Sequence, residues 1–324
     1  PPPSRFSMSE AVLELQNVSK TYGDFTAVDD VSFTIPAGMV YGFLGPNGAG
    51  KTTTIRMILE IIKPSSGSIS VFGKPSALQV RERIGYLPEE KGLYKKMRAW
   101  SIIAYFATLK GMDKRSAKKR AYELLERYGL KDFADAKTEA LSKGMGQKVQ
   151  VLASIAHDPE LVILDEPFSG LDPVNQEVME DVIRDLKERG RTVLFSTHVM
   201  SHAERICDRI LLIAGGKKIL DDTIDGARKT IPRRVRVASA DPLDFLTELD
   251  AVVGLVPAET IVGIGSEKLS TFDAQLSDNG EPIDVVKACL ERGIHLERFD
   301  YSPPSLHEVF VELVGDKAKE ASFR

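Results

Sequence analysis

The 324-residue chain has only two cysteines, Cys207 and Cys289, and one tryptophan. The two thiols lie far apart and match no metal-ligand spacing, which excludes a disulfide framework and fits a reducing compartment. No uninterrupted apolar stretch nears the ~18–20 residues that cross a bilayer; the most apolar segment, Trp100 to Leu109, is roughly half that length. The chain is therefore expected not to span a membrane by itself. An excess of one charge is missing too. Lys and Arg number 43 against 47 Asp and Glu, a formal charge of −4, which argues against a large basic face for nucleic acid. With hydrophobic content at 43% and charged content at 28%, the composition is that of a globular protein, and the length favours two domains.

Residues 1–10 begin with a Pro/Ser-rich stretch before Met8 and read as a disordered or appended tail outside the fold. From Val12 to Ile35 the apolar residues alternate with a period of two, as in strands. Pro36-Ala37-Gly38 is a turn, and Met39 to Leu44 reads as a buried strand. Gly45-Pro46-Asn47-Gly48-Ala49-Gly50-Lys51-Thr52-Thr53 follows, and an apolar helix then stops before Pro64. The middle of the chain is helix-rich, about residues 90–158. Leu161 to Leu164, Val193 to Ser196 and Ile210 to Ile213 are further buried strands separated by helices such as Val174 to Glu188. That alternation predicts an α/β fold with a mostly parallel sheet. Residues 221–232 read as a polar linker. A smaller α+β unit is expected over 228–315, with strands at Arg233 to Ser239 and Thr260 to Ile264. Its helices are expected at Leu243 to Leu249, Ile283 to Arg292 and Ser305 to Val314, with 316–324 as a tail.

The Gly45-x4-Gly50-Lys51-Thr52 pattern between a buried strand and a helix is a phosphate-binding loop. Its glycines let backbone N–H groups turn toward phosphate oxygens, and the helix N-terminus adds its positive dipole end. Lys51 is placed to reach the β- and γ-phosphates, and Thr52 to ligate Mg²⁺. Such a loop needs a carboxylate at the end of another buried strand. Leu164-Asp165-Glu166 supplies Asp165 on the metal side, with Glu166 next to it to polarise a water.

In this order the motifs resemble the ATP-binding subunit of an ATP-binding-cassette (ABC) transporter, over roughly Val12 to Ala227. The resemblance implies a P-loop NTPase cassette with an antiparallel β subdomain and a helical subdomain. Tyr22 stands where the family stacks an aromatic on adenine. Leu141-Ser142-Lys143-Gly144-Met145 stands at the family's signature, Ser169-Gly170-Leu171-Asp172 at its D-loop, and Ser196-Thr197-His198 at its switch histidine. Two departures are visible. Ile84-Gly85-Tyr86-Leu87-Pro88-Glu89 carries Glu89 where the family has the Q-loop Gln; a carboxylate there still offers an oxygen to Mg²⁺. Lys143 and Met145 replace Gly and Gln of the signature.

Together with the C-terminal Ser305-Leu306-His307-Glu308-Val309-Phe310, these features are similar to an export-type subgroup resembling bacterial sodium-export ATPase subunits, which pairs with ABC-2-type permeases. What the resemblance implies is an ATPase working as a head-to-tail dimer with a second copy or a homologous subunit. Ser142, Lys143, Gly144, Met145 and Asp172 would then complete the partner's ATP site. An integral membrane permease is the expected partner, at the cytoplasmic face, with no nucleic acid. The segment Lys91 to Met112 is its expected docking surface, although Trp100, Ile103, Phe106, Ala107 and Lys110 equally fit packing inside the helical subdomain. Alternative readings are an ABC ATPase acting on ribosomes or DNA, and a nucleotide-dependent regulatory module. The C-terminal unit is expected to regulate or stabilise the dimer.

Overall fold

The computed structural model describes residues 11–89, 92, 96–258, 261–262 and 268–315. Both terminal tails and part of the Lys91 to Met112 segment lie outside them. Contacts divide the chain into two compact units, one holding the residues through Ile224 and the end of the chain, the other Asp225–Glu312.

In the first unit, β1 (Ala11–Tyr22) and β2 (Phe25–Pro36) form a hairpin in which Tyr22 pairs with Phe25, and β1 also pairs with β4 (Ser66–Val71). The main sheet has six strands, with β3 (Val40–Leu44), β5 (Ile84–Leu87), β6 (Leu161–Leu164), β7 (Thr192–Thr197), β8 (Arg209–Ala214) and β9 (Lys217–Thr223) in the order β5-β6-β7-β3-β8-β9. All neighbours are parallel except β8 and β9. Every residue of β3, β6 and β7 is buried. Continuous apolar runs of this kind suit a sheet covered on both faces, and each buried large aliphatic or aromatic side chain contributes roughly 1.5–3 kcal/mol. The strand ends that carry the motifs are therefore anchored in a fully buried part of the sheet.

One core cluster joins Leu13, Val31 and Ile35 of the hairpin to Tyr41 and Phe43 of β3, and to Ile55 and Ile58 of α1 (Lys51–Ile58). The helix-rich middle contains α2 (Ala99–Leu109), α3 (Lys114–Arg127) and α4 (Lys143–Ile155); α5 (Pro173–Glu188), α6 (Met200–Ile206) and α7 (Ile224–Arg228) follow. The basic run 114–120 forms the start of α3. Asp113 caps that helix through the N–H groups of Arg115 and Ser116, and Lys119 and Arg120 pair with Glu123.

The expected linker over 221–232 is replaced in part by structure. Asp221 to Thr223 end β9, because Asp221 has partners: it accepts from Tyr41 Oη at 2.5 Å and from Arg209 Nη2 at 3.2 Å. The second unit is an antiparallel sheet in the order β11-β13-β10-β14, from β10 (Arg234–Ser239), β11 (Val252–Pro257), β13 (Lys268–Leu276) and β14 (Arg298–Tyr301), with β12 (Ile261–Val262) paired to β13. Val235 and Val237 of β10 face a core shared with Val285 and Cys289 of α8 (Pro282–Glu291), and α9 (Leu306–Val314) closes the described chain. The expected helix at 243–249 is a short 3-10 turn, Asp244–Glu248. β11, β13 and β14 went unforeseen, because Gly254 interrupts the first and charged residues such as Asp273 and Asp300 fill the outward positions of the other two.

Candidate nucleotide site

The phosphate loop leaves β3 at the centre of the main sheet. Gly45 has φ 157° and Gly50 φ 104°. A Cβ on Gly45 would lie 2.2 Å from the Ile213 carbonyl oxygen, and one on Gly50 would lie 2.6 Å from that of Ala27. Only glycine fits either place, since the first has a neighbouring main chain against it and the second also needs a left-handed backbone. Helix α1 then starts with no side-chain cap and no acidic residue in its first turn, so its first N–H groups and dipole end are available to an anion.

The Lys51 ammonium is buried. It donates to the carbonyls of Gly45 at 2.7 Å and Pro46 at 3.1 Å, and lies 3.4 Å from Glu166 Oε1. Burial pulls its pKa below the ordinary lysine value, opposed by Glu166 and, more weakly, by Asp165 and Glu89. A cation with strained desolvation among carboxylates is stabilised by bound phosphate charge.

Asp165 and Glu166 follow the last residue of β6. Glu166 takes φ 49°, unusual for a residue with a side chain. This turn puts Glu166 Oε1 beside Lys51 and Oε2 3.0 Å from His198 Nδ1. Thr52 Oγ1 donates to Asp165 Oδ1 at 3.3 Å, while Asp165 Oδ2 is buried with no hydrogen-bond partner. A buried carboxylate oxygen without a donor, beside a threonine hydroxyl, fits Mg²⁺, a hard cation that takes one or two protein oxygens plus phosphate and water. Among the described residues no cluster of three or more His, Cys, Asp or Glu forms an all-protein metal cage.

A cavity of about 320 Å³ opens over the phosphate loop. Phe25, Asn47, Gly48, Lys51 to Thr53, Glu89 and Glu166 are among its walls. Glu89 is thus brought to the loop. Tyr22 is not a wall of this cavity; it is half exposed and carries the Lys20 ammonium 5.0 Å from its ring centre. Its hairpin partner Phe25, exposed at 63%, lines the cavity instead. The sequence reading missed Phe25 because it sits beyond the Gly23 turn, and only the Tyr22–Phe25 register reveals that both aromatics share the hairpin end.

Residues 141–145 are not among the cavity walls either. Ser142 caps α4, accepting from Met145 N at 3.2 Å, and Ser142 and Lys143 are exposed. Gly144 abuts the Asn175 amide, where a Cβ would come within 2.5 Å of Nδ2. Asn175 is held by Asp172, which accepts from its backbone N at 2.9 Å and from Nδ2 at 2.6 Å, capping α5. Gln147, buried in α4, donates to the Pro167 carbonyl next to Glu166. The first turn of α4 thus rests on the 165–175 segment.

A parallel-sheet core, a glycine loop entering a helix and a carboxylate pair at the end of β6, one strand removed from β3, define a P-loop nucleotide-binding protein. A family model described as ABC transporter matches residues 28–169. The chain is 40% identical to the ABC transporter ATP-binding protein YhaQ of Bacillus subtilis, over 94% of this chain and 99% of that protein. It is 34% identical to Nod factor export ATP-binding protein I of Burkholderia lata, over 97% and 100%. A solved ATP-binding subunit of an ABC transporter superposes with TM-score 0.62 at 31% identity, covering 68% of this chain and 92% of that one. The ATP-binding cassette MJ0796, solved as a dimer in a post-hydrolysis state with ADP and Pi, superposes with TM-score 0.60 at 27% identity, covering 65% and 98%. The chain belongs to the ABC transporter ATP-binding proteins. It is the ATP-binding, ATP-hydrolysing kind of subunit.

Proposed function

We propose that the chain hydrolyses MgATP between two head-to-tail subunits and so drives export through a separate membrane permease of the ABC-2 type. The observation that carries this reading is the division of the chemistry within one chain. The cavity gathers the loop, Glu89 and Glu166, whereas the exposed Ser142 and Lys143 stand away from its walls, available to another subunit. The dimeric cassette MJ0796 and the full-length likeness to Nod factor export proteins support the dimer and the export direction.

In this mechanism the α1 N-terminus and Lys51 hold the phosphates, and Phe25, with Tyr22 at the same hairpin end, receives the base. Asp165, Thr52 and Glu89 would hold Mg²⁺, which would neutralise phosphate charge. Glu166 orients the attacking water and His198 braces the Glu166 carboxylate. Ser142, Lys143, Gly144 and Met145, with Asp172, would close the facing site. Loss of the γ-phosphate removes contacts that only the ATP state makes, so the dimer loosens.

No helix among the described residues is long and apolar enough to cross a membrane, so movement must pass to another chain. Within α2, Ile103 and Ala107 are buried, but Tyr105, Phe106 and Leu109 are exposed, Leu109 at 62%. Those three form the docking face, and the unit from Asp225 onward regulates or steadies the dimer. Co-expression with an ABC-2 permease from the same genome tests the coupling. Wild-type chain is expected to co-purify with it and show permease-dependent ATP turnover; Tyr105→Ser/Leu109→Ser is expected to lose both while keeping basal turnover. Unchanged co-purification would remove α2 from the interface.

A further inference from the structure

Ser196 is a fully buried polar residue on β7, among Val193, Leu194 and Phe195. Two other buried hydroxyls in this unit bond within their own helix: Thr54 donates to the Gly50 carbonyl and Ser154 to that of Val151. Ser196 instead reaches across to the end of β6. Its Oγ accepts the Glu166 backbone N–H at 2.9 Å and lies 2.5 Å from Asp165 Oδ1. A hydroxyl has one proton, and the Glu166 N–H can only donate. The Ser196 proton therefore goes to Asp165, in a short charge-assisted bond.

The register explains the reach. β6 and β7 pair Leu164 with Phe195, so Asp165 and Ser196 stand one step beyond that pair. Two positions further along the chain, His198 meets the other end of Glu166. One strand end thus holds the main chain of Glu166 through Ser196 and its carboxylate through His198.

We propose that Ser196 is a positioning residue that decides which oxygen of Asp165 faces the metal and fixes the backbone turn of Glu166. Asp165 Oδ1 already takes the hydroxyls of Ser196 and Thr52, and Oδ2, buried and without a partner, is the oxygen left for a cation. Removing the Ser196 hydroxyl frees the carboxylate to rotate and strands the Glu166 N–H. This inference rests on the roles given above to Asp165 and Glu166.

The test compares Ser196→Ala with Ser154→Ala, which measures the cost of deleting a buried hydroxyl that bonds only within its own helix. Mn²⁺ binding to the ADP-loaded protein is followed by electron paramagnetic resonance, alongside nucleotide binding in EDTA and turnover. Ser196→Ala is expected to weaken Mn²⁺ binding and lower kcat by about 10- to 100-fold, with metal-free nucleotide affinity unchanged. Ser154→Ala is expected to leave the metal affinity as in wild type. Ser196→Thr, which keeps the hydroxyl, is expected to bind Mn²⁺ more tightly than Ser196→Ala. Wild-type Mn²⁺ affinity and kcat in Ser196→Ala, or an equal metal defect in Ser154→Ala, overturns the inference. The Glu166 assignment is judged separately, by the turnover of Glu166→Gln.

Discussion

Single residues in this site do their work through groups that a motif does not display. Lys51 and Glu166 follow from the P-loop pattern, but the side chain offered to a base does not. Tyr22 is the aromatic the pattern points to, and Phe25 is the one lining the cavity. Stacking on a base is worth about 1–3 kcal/mol by alanine substitution. Phe25→Ala is therefore expected to raise the Kd for a fluorescent ATP analogue about tenfold, and Tyr22→Ala to raise it less; the reverse order would return the role to Tyr22. His157 carries a pH consequence. Burial, aided by the nearby Lys110 ammonium, lowers its pKa from the ordinary 6.5 to about 4, against the pull of Asp158 and of its bond to the Ile84 carbonyl. The unfolded chain binds the proton near 6.5 and the folded chain only near 4, so stability falls as pH drops through that window. His157→Gln, which keeps an N–H for Ile84, is expected to flatten the fall by roughly 1–3 kcal/mol, read from urea unfolding at pH 7 and pH 4.5. An identical fall in the variant would contradict it.

At the scale of elements, α4 and the 165–175 segment behave as one piece. Gly144 has no room for a Cβ because the Asn175 amide, clamped by Asp172, occupies it. Gly144→Ala is expected to cost about 1–3 kcal/mol of stability, and Asn175→Ala in the same chain to recover most of it. A double-mutant cycle showing no coupling would mean that the contact is not what restricts this position. The buried strands β3, β6, β7 and β8 were legible in sequence because parallel strands covered on both faces read as unbroken apolar runs. The second unit was harder to read. Its β13 alternates Phe272, Ala274 and Leu276 with Asp273, and Asp273 is held by Arg236 through two bonds of 2.7 and 2.8 Å across the sheet. A strand whose outward face is built of paired charges looks like a loop in one dimension. The same holds for Ser196: its position beside His198 is plain in sequence, but its bond to Asp165 depends on the β6–β7 register.

Over the whole molecule, the shortage of long apolar runs and of surplus positive charge now has a chemical counterpart. The chain carries an ATP-hydrolysing site, and no helix among its described residues is long and apolar enough to cross a membrane; in the proposed mechanism a partner supplies the membrane path. The decisive feature is that Glu89, Glu166 and the phosphate loop line one cavity while the exposed start of α4 is not among its walls. Under the proposed mechanism such a site is complete only when two subunits meet around ATP. Sedimentation velocity of Glu166→Gln, with ATP and with ADP, tests this most directly. The account predicts a dimer in MgATP, a monomer in MgADP, and no turnover to dissolve the first. A protein that stays monomeric in MgATP, or that hydrolyses ATP near the wild-type rate, would contradict it.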